Sequence, residues 1–164
     1  MYMFTSFKKD RAKGFTLVEL LVVIGIIVIL FAVVLVAIDP AKRLKQARDA
    51  VRRQDVRDIL EAVQQSIVDN DGTVPAGIDA TAGTYQVLGT DTTGCNTTCT
   101  AQSSVTSCLD LSGDLVDTYL ASIPMDPATG SAENTDYAVN MTTGGRIAVV
   151  SCDPEVATSI SVKR

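Results

Sequence analysis

The side chains that most often carry out catalysis are scarce in this 164-residue chain, which contains no histidine and no tryptophan. The absence of histidine removes the commonest general base and metal ligand in proteins. Catalytic triads, zinc sites built on imidazole and histidine-ligated haem are therefore excluded. The remaining candidates are four cysteines, the carboxylates, and one acidic residue in an unusual position, Glu19.

Glu19 is the only charged residue between Gly14 and Ile38, and it directly precedes nineteen uncharged residues, 20–38. As a helix this run would be about 28 Å long, close to the roughly 30 Å hydrocarbon core of a bilayer. Lipid requires every backbone donor and acceptor to pair within the segment, which enforces a helix despite the many Val and Ile residues. The run is longer than the apolar region of a cleaved signal peptide, so we expect a retained membrane span.

Charge is divided unevenly along the chain. The net charge is +3 over residues 1–14, +3 over 39–58 and −10 over 61–164, within a total of −5. Because the basic residues after the apolar run outnumber those before it, charge counting alone would place the carboxyl-terminal side in the cytoplasm. Orientation therefore needs a second indication.

The junction before the apolar run supplies that indication. It follows a short basic leader and reads Gly14-Phe15-Thr16-Leu17-Val18-Glu19. This pattern resembles the type III signal sequences of type IV prepilins and of the pseudopilins of type II secretion systems. The resemblance implies that a prepilin peptidase cuts between Gly14 and Phe15 on the cytoplasmic side and methylates the new amine of Phe15. It also implies a single-pass inner-membrane protein with a cytoplasmic N-terminus, whose remainder is exported and later joins an extracellular filament.

Glu19 is predicted to act in assembly. A carboxylate near the end of a membrane span is costly without a partner. Cutting after Gly14 creates an α-amine four residues before Glu19, and this amine could meet the carboxylate of the same or a neighbouring subunit. Such a pair would set the register between subunits more than it would add net stability. The alternative is a carboxylate that reaches the lipid headgroups by snorkelling.

The predicted fold class is α+β, with a long N-terminal helix, half transmembrane and half amphipathic, packed against a small antiparallel β-sheet head. The predicted segments are a leader at 1–14, an assembly helix at 15–38, an amphipathic helix at 39–71 and an exported head at 72–164. Asp39-Pro40 predicts a kink or a locally melted stretch, and Asn70-Asp71-Gly72 predicts the end of the helix. The apolar face of the second half consists of Val56, Ile59, Leu60, Val63 and Ile67.

The head has three tyrosines and no Phe or Trp, so it needs the helix to complete its core. The strand signals lie at 85–88, 137–141 and 147–152, the last two forming a hairpin. Residues 111–120 are predicted to form a short helix. Residues 90–107 are rich in Ser and Thr and are predicted to form a surface loop, in which Asn96-Thr97-Thr98 is a weak glycosylation signal.

The basic cluster between Lys42 and Arg57 has two interpretations. It is either a solvated face, partly paired with Asp49, Asp55 and Asp58 and facing the acidic head of a neighbour, or a phosphate-binding stripe for DNA uptake. No aromatic residue lies between Leu44 and Ile67 to stack on bases. Nucleic acid is therefore the disfavoured partner.

The four cysteines all lie in the exported region, and an even number in an oxidising compartment predicts two disulfides. Three pairings are possible. We favour Cys95 with Cys99, closing the Thr-rich loop, and Cys108 with Cys152, joining it to the sheet. A metal site built on these cysteines is disfavoured by their irregular spacing and by the lack of histidine.

The segment Ile123-Pro124-Met125-Asp126-Pro127 resembles a loop before the final strands of small pilins and major pseudopilins, some of which bind calcium there. Asp126, Asp136 and Asp153 could supply oxygen ligands, although they lack a regular ligand spacing. Simple turn chemistry is the alternative. No other cofactor is expected.

These observations predict a structural subunit of a type IV pilus-like filament rather than an enzyme. Its partners would be the membrane before assembly, prepilin peptidase, the inner-membrane assembly platform with its ATPase, and further copies of itself in a helical filament. The alternatives are a pseudopilin of a type II secretion system and a minor pilin that acts as an adhesin or DNA receptor. A membrane-anchored hydrolase using aspartates is disfavoured because no nucleophile or acid/base motif is recognisable.

Overall fold

A computed structural model describes residues 14–79, 81, 83–99, 102 and 104–164. The predicted leader lies outside the described residues except for Gly14. The chain divides into two compact units with the boundary after Pro40. Among the described residues, the first contains one long helix, and the second contains another long helix, two helices of four residues each, a four-stranded sheet and the loops around them.

Helix α1 spans Leu17–Ile38 and ends at Asp39, whose φ of 46° is left-handed. Helix α2 then begins at Pro40. The residue before a proline is disfavoured in the right-handed helical region, and Asp tolerates the left-handed one. The predicted interruption at Asp39-Pro40 is therefore confirmed, as a break of a single residue.

Helix α2 spans Pro40–Asp69 and ends close to the predicted stop. Asp71 and Gly72 both have positive φ, at 53° and 86°. The Gly72 amide donates to the Ile67 carbonyl at 2.8 Å, and the Asn70 side chain donates to the Ser66 carbonyl at 2.8 Å. Carbonyls of the last turn, which the helix itself leaves unpaired, thus find donors in the turn that follows.

The sheet is antiparallel throughout, in the order β1-β2-β3-β4. Its strands are β1 at Gln86–Val87, β2 at Tyr137–Met141, β3 at Ile147–Ser151 and β4 at Ser161–Lys163. The predicted hairpin is present, with Tyr137 opposite Ser151 and Met141 opposite Ile147. The α+β architecture predicted from the sequence is confirmed.

One face of the sheet packs on α2. Tyr137 and Val139 of β2 and Val149 of β3 join a buried core with Ile59 and Val63 of α2. The alternation of side chains along each strand puts these residues on the same face. The predicted apolar stripe of α2 thus supplies the layer that the head lacks, since Val56, Ile59, Leu60 and Val63 are all buried.

The opposite face of the sheet is covered by the segment that carries the cysteines. Val87, Ala138 and Val150 form a second buried cluster with Cys95, Cys99 and Cys152. The disulfides are Cys95–Cys108 and Cys99–Cys152, with Cα separations of 5.4 and 4.4 Å. Both faces of β1, β2 and β3 are therefore largely shielded from water.

The favoured pairing of Cys95 with Cys99 and of Cys108 with Cys152 was wrong. Residues Cys95–Thr98 form one helical turn, α3, rather than a wide loop. The Cys95 amide donates to Thr106, and the Cys108 amide donates to Asp91, so the returning chain places Cys108 beside Cys95. The helical turn carries Cys99 onward to the end of β3, where Cys152 lies.

Two further details differ from the prediction. Helix α4 spans only Ser112–Leu115, because Val116 is extended and Asp117 has a left-handed φ of 68°. Strand β4 was missed. It has three residues, two of them polar and exposed, which is typical of a short edge strand protected by a lysine.

The disulfide connectivity predicts the outcome of paired substitutions. We expect Cys95→Ala/Cys108→Ala to leave no thiol that an alkylating reagent modifies after unfolding in denaturant without reductant, because the Cys99–Cys152 bond remains. Cys95→Ala/Cys99→Ala should leave two reactive thiols. Intact mass after alkylation counts them, and the reverse pattern would contradict the connectivity.

Loss of the Cys99–Cys152 bond, across 53 residues, should lower the free energy of unfolding by about 4 kcal/mol.

Candidate processing and assembly site

The start of α1 is fixed by a reciprocal pair of side-chain hydrogen bonds. Thr16 is the N-cap, with extended backbone angles, and its hydroxyl oxygen accepts from the Glu19 amide at 3.2 Å. The Glu19 carboxylate accepts in return from the Thr16 amide at 2.9 Å and from the Thr16 hydroxyl at 2.8 Å. This capping box satisfies amides that the first turn of a helix leaves without partners.

The predicted cleavage site lies just outside this cap. Gly14 and Phe15 precede the helix and are exposed, Phe15 to 84%. Apart from its chain neighbours, no atom of the described residues lies within 4 Å of the position that a Cβ on Gly14 would occupy. The peptide bond between Gly14 and Phe15 is therefore open to an approaching protein. The capping box holds Glu19 one turn into the helix beyond it.

Beyond Glu19, the helix that follows offers only apolar surface. None of the 22 residues of α1 is buried. Within the described residues, α1 is the one helix that is long and apolar enough to cross a membrane. Because exposed aliphatic surface of this extent is unfavourable in water, α1 requires lipid or other protein around it.

The second unit contains a buried ionic network. Arg52 is 1% exposed, and its guanidinium contacts Asp126 through Nε at 2.6 Å and Nη2 at 2.9 Å. Its Nη1 donates to Asp49 at 2.9 Å and to Glu155 at 3.1 Å. Arg48 forms a second two-point pair with Glu155, at 2.5 and 2.6 Å. One turn of α2 is thus joined to two distant loops.

Asp49 anchors the chain after β3. Its carboxylate accepts from the amides of Glu155, Val156 and Ala157, at distances between 2.8 and 2.9 Å. Burial alone would raise the pKa of Asp49, but these three amides and Arg52 outweigh it and lower the pKa to about 2. Hydrogen bonds from Arg48 and Arg52 likewise lower the pKa of Glu155 to about 2.

The network predicts that stability is lost in acid. Because the pKa of Asp49 is about 2 in the folded chain and 3.8 in the reference state, its contribution of about 2 kcal/mol is present above pH 3.8 and lost towards pH 2. Burial raises the pKa values of Asp55 and Asp136, so their contributions to stability increase as the pH falls. Chemical denaturation of the detergent-solubilised chain, compared with Asp49→Asn, isolates the Asp49 contribution. An equal pH dependence in both proteins would contradict it.

The predicted calcium ligands have other surroundings. Asp126 is paired with Arg52 and also accepts from the amides of Ala128 and Thr129. Asp136 is buried, and its burial raises its pKa, with a further increase from the charges of Asp153 and Asp126. Across the described residues, no group of three or more acidic or cysteine side chains is arranged to hold a metal ion.

The basic cluster of α2 is divided by the fold. Both interpretations of the cluster, a solvated face and a phosphate-binding stripe, required Arg52 to be exposed, but it is buried with Asp49 and Asp126. Arg48 is partly buried against Glu155. Two of the predicted partners bind elsewhere: Asp55 accepts from the Tyr137 hydroxyl, and Asp58 accepts from Gln54. The remaining cations are exposed.

Comparison with known families now bears on this geometry. Residues 9–35 match the family model of the prokaryotic N-terminal methylation motif. The chain carries the signature of type IV pilins and pseudopilins. This pilin-type motif includes the Gly14-Phe15 junction, the capping box and most of α1. No curated protein and no solved structure matches the chain.

Two features of the site escaped the sequence analysis. The capping box has a recognisable signal, a Thr followed three residues later by Glu before an apolar run. The ionic network has none, because Arg52 is 74 residues from Asp126 and 103 from Glu155. Arginine is rarely buried completely, so composition favours a surface position.

Proposed function

We propose that this chain is a structural subunit of a type IV pilus-like filament, held in the inner membrane by α1 until it is processed and assembled. The observation that carries the proposal is a 22-residue helix with no buried residue, apolar except for Glu19, that begins just after a pilin-type junction. Such a helix suits lipid first and the same helix of other copies later. The chain then performs no catalysis of its own.

Processing would give Glu19 a second set of partners. Among the described residues of the unprocessed chain, Thr16 is the one residue that donates hydrogen bonds to this carboxylate. Cleavage after Gly14 would place a positively charged, methylated amine on Phe15. A Glu19 carboxylate of one copy and the amine of the next would attract each other strongly in surroundings that exclude water. We infer that this pair sets the axial register of the filament.

Assembly by this route gains little from the hydrophobic effect. Lipid tails are as apolar as the Leu, Ile and Val side chains of α1, so moving the helix from lipid to protein changes apolar exposure very little. Packing contacts and the Glu19 pair must supply the preference, and the work of extraction would come from the assembly ATPase. The folded head remains outside the apolar bundle.

The test is to produce the chain in a host with a prepilin peptidase and a pilus assembly system. We expect filaments at the cell surface that shear off, contain this chain as their main component and label with antibodies against the head. Short, cell-bound polymers formed only with secretion components would favour the pseudopilin alternative. A processed chain that stays monomeric in the membrane would contradict the proposal.

A further inference from the structure

Helix α2 has opposite charges at its two ends. Residues 40–57 contain seven cations and two carboxylates, whereas residues 58–69 contain three carboxylates and no cation. Arg43, Arg53 and Arg57 are exposed, and none of them has a carboxylate within ion-pair distance among the described residues. Spacings of ten and four residues place these three side chains on one flank of the helix. We call them the basic patch.

The carboxylates at the other end line a depression. Asp58, Glu61 and Asp69 border a groove of about 550 Å³ between α2 and the turn at Tyr119 and Leu120. No described cation lies within ion-pair distance of these three carboxylates. We call this surface the acidic groove.

Identical helices with this polarity repel each other when they lie parallel and in register, because basic patch then meets basic patch. A shift along the axis brings opposite charges together. The centres of the two surfaces are about twelve residues apart, which corresponds to about 18 Å along a helix. Within one chain, Arg57 lies four residues before Glu61 on the same helix, but no ion pair joins them among the described residues. Arg43 is eighteen residues, about 27 Å, from Glu61 and cannot meet it within one chain.

We propose that the acidic groove of one subunit binds the basic patch of a second copy, and that this contact sets the stagger between subunits. The inference rests on the proposed function, because a filament holds all copies in the same direction. The two surfaces differ, so the contact is heterologous and leaves a free groove and a free patch at the ends of every assembly. Such contacts continue into open helical polymers. Repulsion between the two basic patches also disfavours the in-register arrangement.

Charge reversal in the full-length chain tests this contact. We expect the groove variant Asp58→Lys/Glu61→Lys to lower the amount of sheared filament about tenfold, because it places like charges across the contact. The patch variant Arg43→Glu/Arg53→Glu should do the same, and the two combined should restore filaments. The matched control is Asp91→Lys/Asp114→Lys, which makes the same charge change at exposed carboxylates outside the groove and should assemble normally.

The outcomes separate this inference from the proposed function. If the wild type forms filaments and both reversal variants assemble equally well, the contact is overturned and the filament role stays intact. The same conclusion follows if every variant accumulates normally in the membrane but the combined variant fails to restore assembly. Absence of filaments from the wild type would overturn both. In Arg43→Lys filaments, a zero-length carbodiimide cross-link between the new amine of one copy and Glu61 of another would show that the two surfaces are in direct contact.

Discussion

Cells producing Glu19→Ala should export at least tenfold less filament than the wild type, while the chain still inserts in the membrane and is cut after Gly14. The substitution removes the carboxylate that we infer pairs with the Phe15 amine of a neighbour. It also removes half of the capping box, since Glu19 accepts from Thr16 in the unprocessed chain. Filament yield after shearing and the processed fraction in membranes are the two measurements.

Glu19→Gln separates these two roles. Glutamine at this position can still complete a capping box, but it carries no charge to attract an amine. We expect Glu19→Gln to fail in assembly as Glu19→Ala does. Thr16→Ala loses the capping hydroxyl and keeps the charge, so its effect should be limited to about 1 kcal/mol at the helix start. Normal filaments from Glu19→Gln would show that the cap, and not the charge, is what assembly requires.

Arg52→Met should lower the free energy of unfolding by about 3–5 kcal/mol. Methionine fills part of the same space, but it leaves Asp49 and Asp126 buried without their cation. Among the described residues, the amides of Ala128 and Thr129 would be the donors that Asp126 keeps. Denaturation of the full-length chain in detergent, followed by the tyrosine signal of the head, measures the loss.

Arg53→Met is the matched control for this prediction. It makes the same substitution one position along α2, at an exposed side chain that forms no ion pair with any described residue, and should change the free energy of unfolding by no more than about 0.5 kcal/mol. Similar stabilities for both variants would contradict the view that the buried network holds the loops around Asp126 and Glu155 on α2. The free energy of unfolding of Arg52→Lys should lie between the values of Arg52→Met and Arg53→Met, because an ammonium keeps the charge but cannot reproduce the two-point contact with Asp126.

The elements that could be predicted from the sequence are those whose signals are local. The apolar run gave α1, Asp39-Pro40 gave the break, and the alternation around the Gly144-Gly145 turn gave the hairpin of β2 and β3. Each of these elements depends on residues that are neighbours in the sequence. The helix α1 follows from the requirements of a bilayer, and the hairpin follows from the alternation of one buried face. The Gly14-Phe15 junction was likewise recognisable because its residues are contiguous.

The features that could not be predicted depend on contacts between distant residues. The disulfide partners of Cys95 and Cys99 follow from the path of the chain between them, which the sequence leaves open. Burial of Arg52 requires three carboxylates from α2 and two separate loops. Strand β4 has only three residues and exists because β3 offers it an edge.

The most direct test of the account is the intact mass and N-terminal sequence of the chain isolated from native membranes and from filaments. The account predicts that the assembled protein lacks residues 1–14 and begins at Phe15 with one methyl group on its amine. Filaments built from chains that retain residues 1–14, or that begin at another residue, would contradict it.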